Sequence, residues 1–254
     1  MAAIIELRGV FVKLGGRSVL EDVNFTLESG DFFGLIGPNG GGKTTLIKVI
    51  LGLIRPERGN VLVEGESPES KRHLLGYVPQ YRTYDFTYPL TVKEMVLSGR
   101  LGLIRGPFRK FREQDQRKAE EVMVQMGIED LAARPIGELS GGQQQRAIIS
   151  RALVSEPHAL LLDEPTTHVD PHMEEEFYDT LDSLRERMAI LLVSHDLTAI
   201  SMHVDKIACL NRRLFTHGTK EVSEDMLSAL YHCPVDLIAH GIPHRVLRTH
   251  EEKS

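Results

Sequence analysis

GPNGGGKTTL, residues 37 to 46, decides the reading of this chain. Three consecutive glycines, Gly40, Gly41 and Gly42, run into Lys43, Thr44 and Thr45. Glycine loses more conformational freedom on ordering than any other residue, so three in a row weaken an ordinary helix or strand. Their presence implies that something lies too close to this backbone for side chains to be tolerated. Gly37, four residues, then Gly42-Lys43-Thr44 fits the pattern G-x-x-x-x-G-K-[ST]. In such a loop successive backbone N–H groups turn inward and cradle phosphate oxygens, and the helix that follows adds its free N–H groups and the positive end of its dipole. Gly37, Pro38, Asn39, Gly40, Gly41, Gly42, Lys43, Thr44 and Thr45 are therefore the candidate phosphate-binding residues. Lys43 would reach the β- and γ-phosphates and the Thr44 hydroxyl would take a place on Mg²⁺.

The flanks support this. DFFGLIG, 31 to 37, is an apolar run that predicts a buried strand. In TTLIKVILGLI, 44 to 54, Leu46, Ile47, Ile50, Leu51 and Ile54 recur at helical spacing. VNFTLES (23–29) and NVLVEGE (60–66) alternate apolar and polar residues, as half-buried antiparallel strands do, whereas ALLLDE (159–164) and AILLVSH (189–195) are continuous apolar runs, as expected of parallel strands covered on both faces. Between the two kinds of strand, about residues 85 to 156, the pattern is mostly helical. TVKEMVLSG opens on a Thr91/Glu94 capping box, and REQDQRKAEEVMVQMG is a charged helix ended by Gly127. The expectation is an α/β core with an N-terminal antiparallel β-subdomain and an inserted helical subdomain, over residues 1–218, followed by a tail, 219–254, packed on the core.

Composition narrows the class. The chain has 254 residues, 41% hydrophobic and 26% charged, an ordinary globular balance. No apolar stretch approaches the ~20 residues of a membrane span, and MAAIIELRGV lacks a signal peptide's basic start. Two cysteines, Cys209 and Cys233, make no disulfide framework. A net charge of −6 argues against a dedicated nucleic-acid binder. The histidines of the tail, with Cys233, match no compact zinc spacing.

A phosphate loop needs a partner for Mg²⁺ and a group to aim a water. ALLLDEP, 159 to 165, offers both. Asp163 stands at the carboxyl end of a predicted parallel strand, where ligands of open α/β sheets bind, and would hold Mg²⁺ through its water shell. Glu164 is placed to act as general base. In LLVSHD, 191 to 196, His195 emerges at the next strand end as a candidate γ-phosphate sensor. ELSGGQQQRAIISRAL, 138 to 153, places Ser140 as an N-cap, and Gly141 and Gly142 at a helix start make a second anion site. That site suits a second nucleotide, and two copies packed head-to-tail, each completing the other's site, are the simplest arrangement.

GPNGGGKTT, YVPQ, LSGGQ, LLLDEPTTHVD and SHD, in this order and at about this spacing, resemble the ATP-binding cassette (ABC) ATPases over residues 4 to 218. The resemblance implies the ABC ATPase fold, with a RecA-like P-loop core, and ATP hydrolysis with Mg²⁺. It implies that Gln80 links Mg²⁺ to the helical subdomain, that Ser140, Gly141, Gly142 and Gln143 contact the partner copy's γ-phosphate, and that Asp170 spans the dimer. The aromatic residue that usually stacks on adenine is replaced in register by Leu14. Phe11 is nearby but out of register.

The segments YRTYDFTYPLTVKEMVLSGRLGL (81–103), CLNRRLFTHG (209–218) and LYHCPVDLIAHGIPHRVLRTH (230–250) are similar to ATPase subunits of zinc and manganese importers. That likeness implies integral membrane permease subunits as partners, an extracytoplasmic metal-binding protein, and a place on the cytoplasmic face of the membrane. A subunit for another solute, such as lipid or heme, remains open at this point, as does a non-transport ABC ATPase. Arg100, Arg105, Arg109, Lys110 and Arg112 form a basic run without acids, read as a face for lipid head groups, a partner or solvent.

Overall fold

The computed structural model describes residues 3–80, 84–104, 110–165, 171–194, 197–217, 236–240 and 242–246. Two strands open the chain, β1 (Ala3–Leu14) and β2 (Arg17–Glu28), followed by β3 (Phe32–Ile36) and α1 (Lys43–Ile50). Next come β4 (Arg58–Val63), α2 (Pro68–Lys71) and β5 (Leu75–Val78), then the helices α3 (Val92–Ser98), α4 (Glu113–Gln125) and α5 (Gly141–Leu153). The chain returns to the core with β6 (Ala159–Asp163), α6 (Pro171–Leu184), β7 (Ala189–Val193), α7 (Leu197–His203), β8 (Lys206–Asn211) and β9 (Arg213–His217). A hairpin of β10 (Asp236–His240) and β11 (Ile242–Val246) forms a sheet of its own in the tail.

The central sheet runs β5-β6-β7-β3-β8-β9. Its first five strands pair in parallel, and β9 is an antiparallel edge. The continuous apolar runs follow from burial on both faces. Phe32, Leu160, Leu162, Ile190 and Leu192 enter one core with α5 and α6, while Phe33, Leu35, Leu161, Leu191 and Val193 enter a second core with α1 and the β-subdomain. Successive strand residues point to opposite faces, so two hydrophobic layers demand runs without polar interruption. The predicted half-buried strands form the antiparallel sheet β2-β1-β4, with Val23, Phe25 and Leu27 buried and Asn24 and Thr26 exposed.

Helix termini behave as their sequences dictate. Thr91 and Glu94 close a reciprocal capping box on α3, and Ser140 and Gln143 close one on α5. Gly127, φ +62°, follows α4. The helix predicted through Ile54 is shorter, because α1 ends at Ile50. Gly52, φ +65°, turns left-handed, its N–H donates to Val49 C=O at 2.9 Å, and the Leu53 N–H donates to Lys48 C=O at 2.8 Å. That is a Schellman stop, in which glycine adopts the left-handed residue at no steric cost. Leu51, the cap residue between Ile50 and Gly52, is still buried.

The basic run is not one face. Arg100 is buried, its Nε donating to Asp115 at 2.6 Å and its Nη1 to Val154 C=O at 2.7 Å. A buried guanidinium requires such partners. Lys110 and Arg112 are exposed, while Arg105 and Arg109 lie outside the described residues.

Candidate active site

The site collects at the carboxyl ends of two parallel strands, β3 and β6, with β7 between them in the sheet. β3 runs into the glycine loop and α1, and β6 delivers Asp163 and Glu164 beside it. A cleft of about 190 Å³ is lined by Val19, Asn39, Gly40, Gly42, Lys43, Thr44, Thr45, Gln80 and Glu164. Sequence reasoning missed Val19, whose strand carries no chemical signal.

The glycines have two separate reasons. Gly40 and Gly42 hold φ of +77° and +104°, a region that side chains disfavour. Gly37 and Gly41 are crowded from within the chain, since a Cβ would lie 2.1 Å and 2.8 Å from the Leu210 carbonyl oxygen. At Gly42 it would meet Leu20 and the Val19 carbonyl at 2.9 Å. The chain's own strands exclude side chains here.

Lys43 is 5% exposed and is held in place by the loop it serves. Its Nζ donates to the Gly37 and Pro38 carbonyls at 2.9 and 3.1 Å and stands 3.4 Å from the Glu164 carboxylate. Gln80 Nε2 donates to the other Glu164 oxygen at 3.3 Å. Glu164 is one of five non-glycine residues described with positive φ, here +49°, and its N–H donates to Val193 C=O at 3.0 Å. A left-handed residue just past a strand is strained. Here it turns the carboxylate from the sheet toward Lys43.

Asp163 is 1% exposed and accepts a hydrogen bond from the Thr44 hydroxyl at 3.3 Å. Burial pushes its carboxyl above the ordinary value; the Thr44 hydrogen bond opposes this, the Glu164 charge adds to it, and Lys43 opposes it again. A hydroxyl and a carboxylate oxygen placed together match the hard-oxygen donors that Mg²⁺ prefers. With Gln80 nearby, the residues present fit the ion.

Ser140, Gly141, Gly142 and Gln143 lie elsewhere, at the start of α5, and none lines this cleft. Ser140 accepts the Gln143 N–H at 3.4 Å, while the Gln143 side chain accepts the Ser140 N–H at 3.1 Å. His195 and Asp170 lie outside the described residues. Leu14, at the end of β1, is 44% exposed, and Phe11 pairs with Arg58 of β4. The β1–β2 pairing shifts register between Val12 and Lys13, so strict alternation does not carry from Phe11 to Leu14.

A family model described as ABC transporter matches residues 20–167. The zinc uptake system ATP-binding protein ZurA of Listeria innocua is 40% identical over 224 residues, covering 86% of this chain and 87% of that protein. The high-affinity zinc uptake system ATP-binding protein ZnuC of Bacillus subtilis is 37% identical over 213 residues, 82% of this chain and 91% of its own. Among solved structures, a chain from an inward-facing structure described as of the metal-chelate ABC transporter type superposes with a TM-score of 0.83 at 27% identity, each chain covered to 97%. A nucleotide-free ATP-binding cassette from an ABC transporter gives 0.76 at 26% identity, over 91% of this chain and 96% of that one. A glycine loop whose Thr44 donates to the buried Asp163 carboxylate, and relatives matched over most of their length, lead to one assignment: the chain belongs to the ABC transporter family, as one of its ATPase subunits.

Proposed function

We propose that this chain drives uptake of a divalent transition metal, zinc or manganese, through separate integral membrane permease subunits, working as a head-to-tail homodimer on the cytoplasmic face of the membrane. The observation that carries the cargo is the 40% identity, over 86% of the chain, to a zinc uptake ATP-binding protein. Among the described residues no helix is long and apolar enough to cross a membrane, so the path for the metal belongs to other subunits. An extracytoplasmic metal-binding protein would capture the ion first.

The chemistry follows from the geometry. ATP entering the cleft takes Lys43 from Glu164 and places its ammonium on the β- and γ-phosphates. The N–H groups of Gly40 to Thr45 and the α1 dipole stabilise the negative charge. Glu164 orients a water, accepts its proton on a carboxylate oxygen as the water oxygen bonds to the γ-phosphorus, and the bond to the bridging oxygen of ADP breaks. Thr44, Asp163 and Gln80 would hold Mg²⁺, which when bound neutralises phosphate charge. Asp163 must be ionised for this, so binding the ion is linked to loss of its proton. His195 would sense the γ-phosphate. Ser140 to Gln143, with Asp170, would complete the site of a second copy, because the α5 terminus does not line the cleft of its own chain.

A cleft of about 700 Å³, lined by Arg72, His73, Leu75, Gly99, Gly102 and Leu103, lies between the core and the helical subdomain. Leu53, which lines a neighbouring cleft with Arg72, Leu75 and Gly99, is exposed, and so is Leu101, beside the first cleft in the chain. This cleft supports a docked permease segment. Deleting the gene tests the cargo: cellular zinc or manganese should fall under metal limitation, and added metal should restore growth. Unchanged metal content beside a shifted lipid or heme pool would remove the metal assignment.

A further inference from the structure

The phosphate loop is held from behind by a turn that the sequence motifs do not include. β8 ends at Asn211 and β9 begins at Arg213, leaving Arg212 at the corner with φ +60°. Its N–H donates to the Gly41 carbonyl at 3.0 Å, and its carbonyl accepts the Glu21 N–H of β2 at 2.8 Å. The Leu210 carbonyl fills the space a side chain would need at Gly37 and Gly41. Arg213 Nε adds a 3.4 Å contact to the Glu21 carboxylate.

From these contacts we infer that Arg212 is a positioning residue for ATP: its left-handed backbone clips the glycine loop to β2 and so presets the cradle before phosphate arrives. The chemical logic is one of direction. A left-handed residue between two strands turns its N–H toward the loop and its carbonyl toward β2, and a right-handed one cannot serve both. Arginine is a disfavoured choice there, since the left-handed conformation crowds Cβ. The surrounding bonds hold it against that strain, as at other strained positions near active sites. A cradle fixed in advance binds its anion without a further ordering cost. The inference rests on residues 37–45 being the phosphate cradle; Lys43→Ala binding Mg-ATP like wild type would remove that reading itself.

The test is Mg-ATP affinity in the full chain. Arg212→Val, β-branched and poorly suited to positive φ, should weaken binding about tenfold, with a larger change in KM than in kcat. Arg212→Gly, which keeps the left-handed turn and discards the guanidinium, should bind within about twofold of wild type. Wild-type affinity in the valine variant overturns the inference. So does equal weakening in the glycine variant, which would give the role to the side chain. A purely structural role would lower the melting temperature of the nucleotide-free chain and leave affinity alone. Should the valine variant fail to fold, hydrogen exchange in the unsubstituted chain decides. By reciprocal linkage, Mg-ATP should slow the Arg212 and Glu21 amides more than the Leu161 amide in the core of β6, and equal slowing would overturn the clip.

Discussion

Glu164 and Lys43 stand 3.4 Å apart as an ion pair, each nearly enclosed, with Gln80 on the far oxygen of the glutamate. The carboxylate proposed as the base and the ammonium proposed to meet phosphate therefore neutralise one another. Glu164→Gln keeps the shape and removes the base. ATP turnover should fall ~10²–10⁴-fold, while Mg-ATP binding is retained or tightened because Lys43 no longer has a charged competitor. Steady-state turnover and equilibrium binding on one preparation check this, and wild-type turnover would displace Glu164 from its role.

The separation of the α5 terminus from the cleft predicts complementation between chains. A mixture of Lys43→Ala and Ser140→Arg chains contains dimers with one doubly damaged site and one intact site. ATPase activity should partly return on mixing. If mixed dimers form and no activity returns, the head-to-tail arrangement is refuted.

Two glycines of the loop should respond differently to alanine. At Gly37 the new methyl meets the Leu210 carbonyl oxygen, a backbone atom, at 2.1 Å. Such overpacking usually costs about 1–3 kcal/mol, sometimes more. At Gly40 nothing lies within 4 Å, so only the left-handed φ of +77° is strained, at about 1 kcal/mol. Thermal melting of the nucleotide-free chain should show the larger loss for Gly37→Ala, and equal losses would contradict the close approach.

Asp115 should make the helical subdomain acid-sensitive. Burial raises its carboxyl pKa, but the Arg100 hydrogen bond, the Arg112 N–H and both guanidinium charges outweigh this, and the net value lies below the ordinary one. A depressed folded-state value means the stabilisation is present above the unfolded pKa, about 3.9, and is lost as pH falls through the folded value. Asp115→Asn leaves Arg100 buried without its anion, which should cost about 3 kcal/mol at neutral pH. The gap in urea midpoint between the two proteins should hold from pH 7 down to about pH 4 and narrow below that. A constant gap would assign the loss to shape instead of charge.

The fold was legible wherever burial wrote a period into the chain. Continuous runs announced β6 and β7, and Thr91 and Ser140 announced their helices. For the candidate site, side-chain chemistry singled out Lys43, Thr44, Asp163 and Glu164, and the structure pairs Thr44 with Asp163 and Lys43 with Glu164. What stayed hidden acts through backbone. The Leu210 carbonyl and the Arg212 corner have no residue signature, because any side chain can sit above a carbonyl. Arg100 misled in the other direction, since a guanidinium fifteen residues from its carboxylate partner reads as surface charge until the helix that brings them together is seen.

The order of strands in the central sheet also bears on biosynthesis. β3, which launches the glycine loop, lies between β7 and β8, Phe32 pairing with Ile190 and Phe33 with Lys206. At ribosomal speeds of about 5–20 residues per second, the FFGLI segment waits on the order of ten seconds for neighbours made near the end of the core. Until they emerge, a fully apolar strand has both edges open, the state in which chains associate wrongly. The glycine loop is thus encoded early and assembled late, and the sheet that positions it closes only after nearly all of the core has left the ribosome.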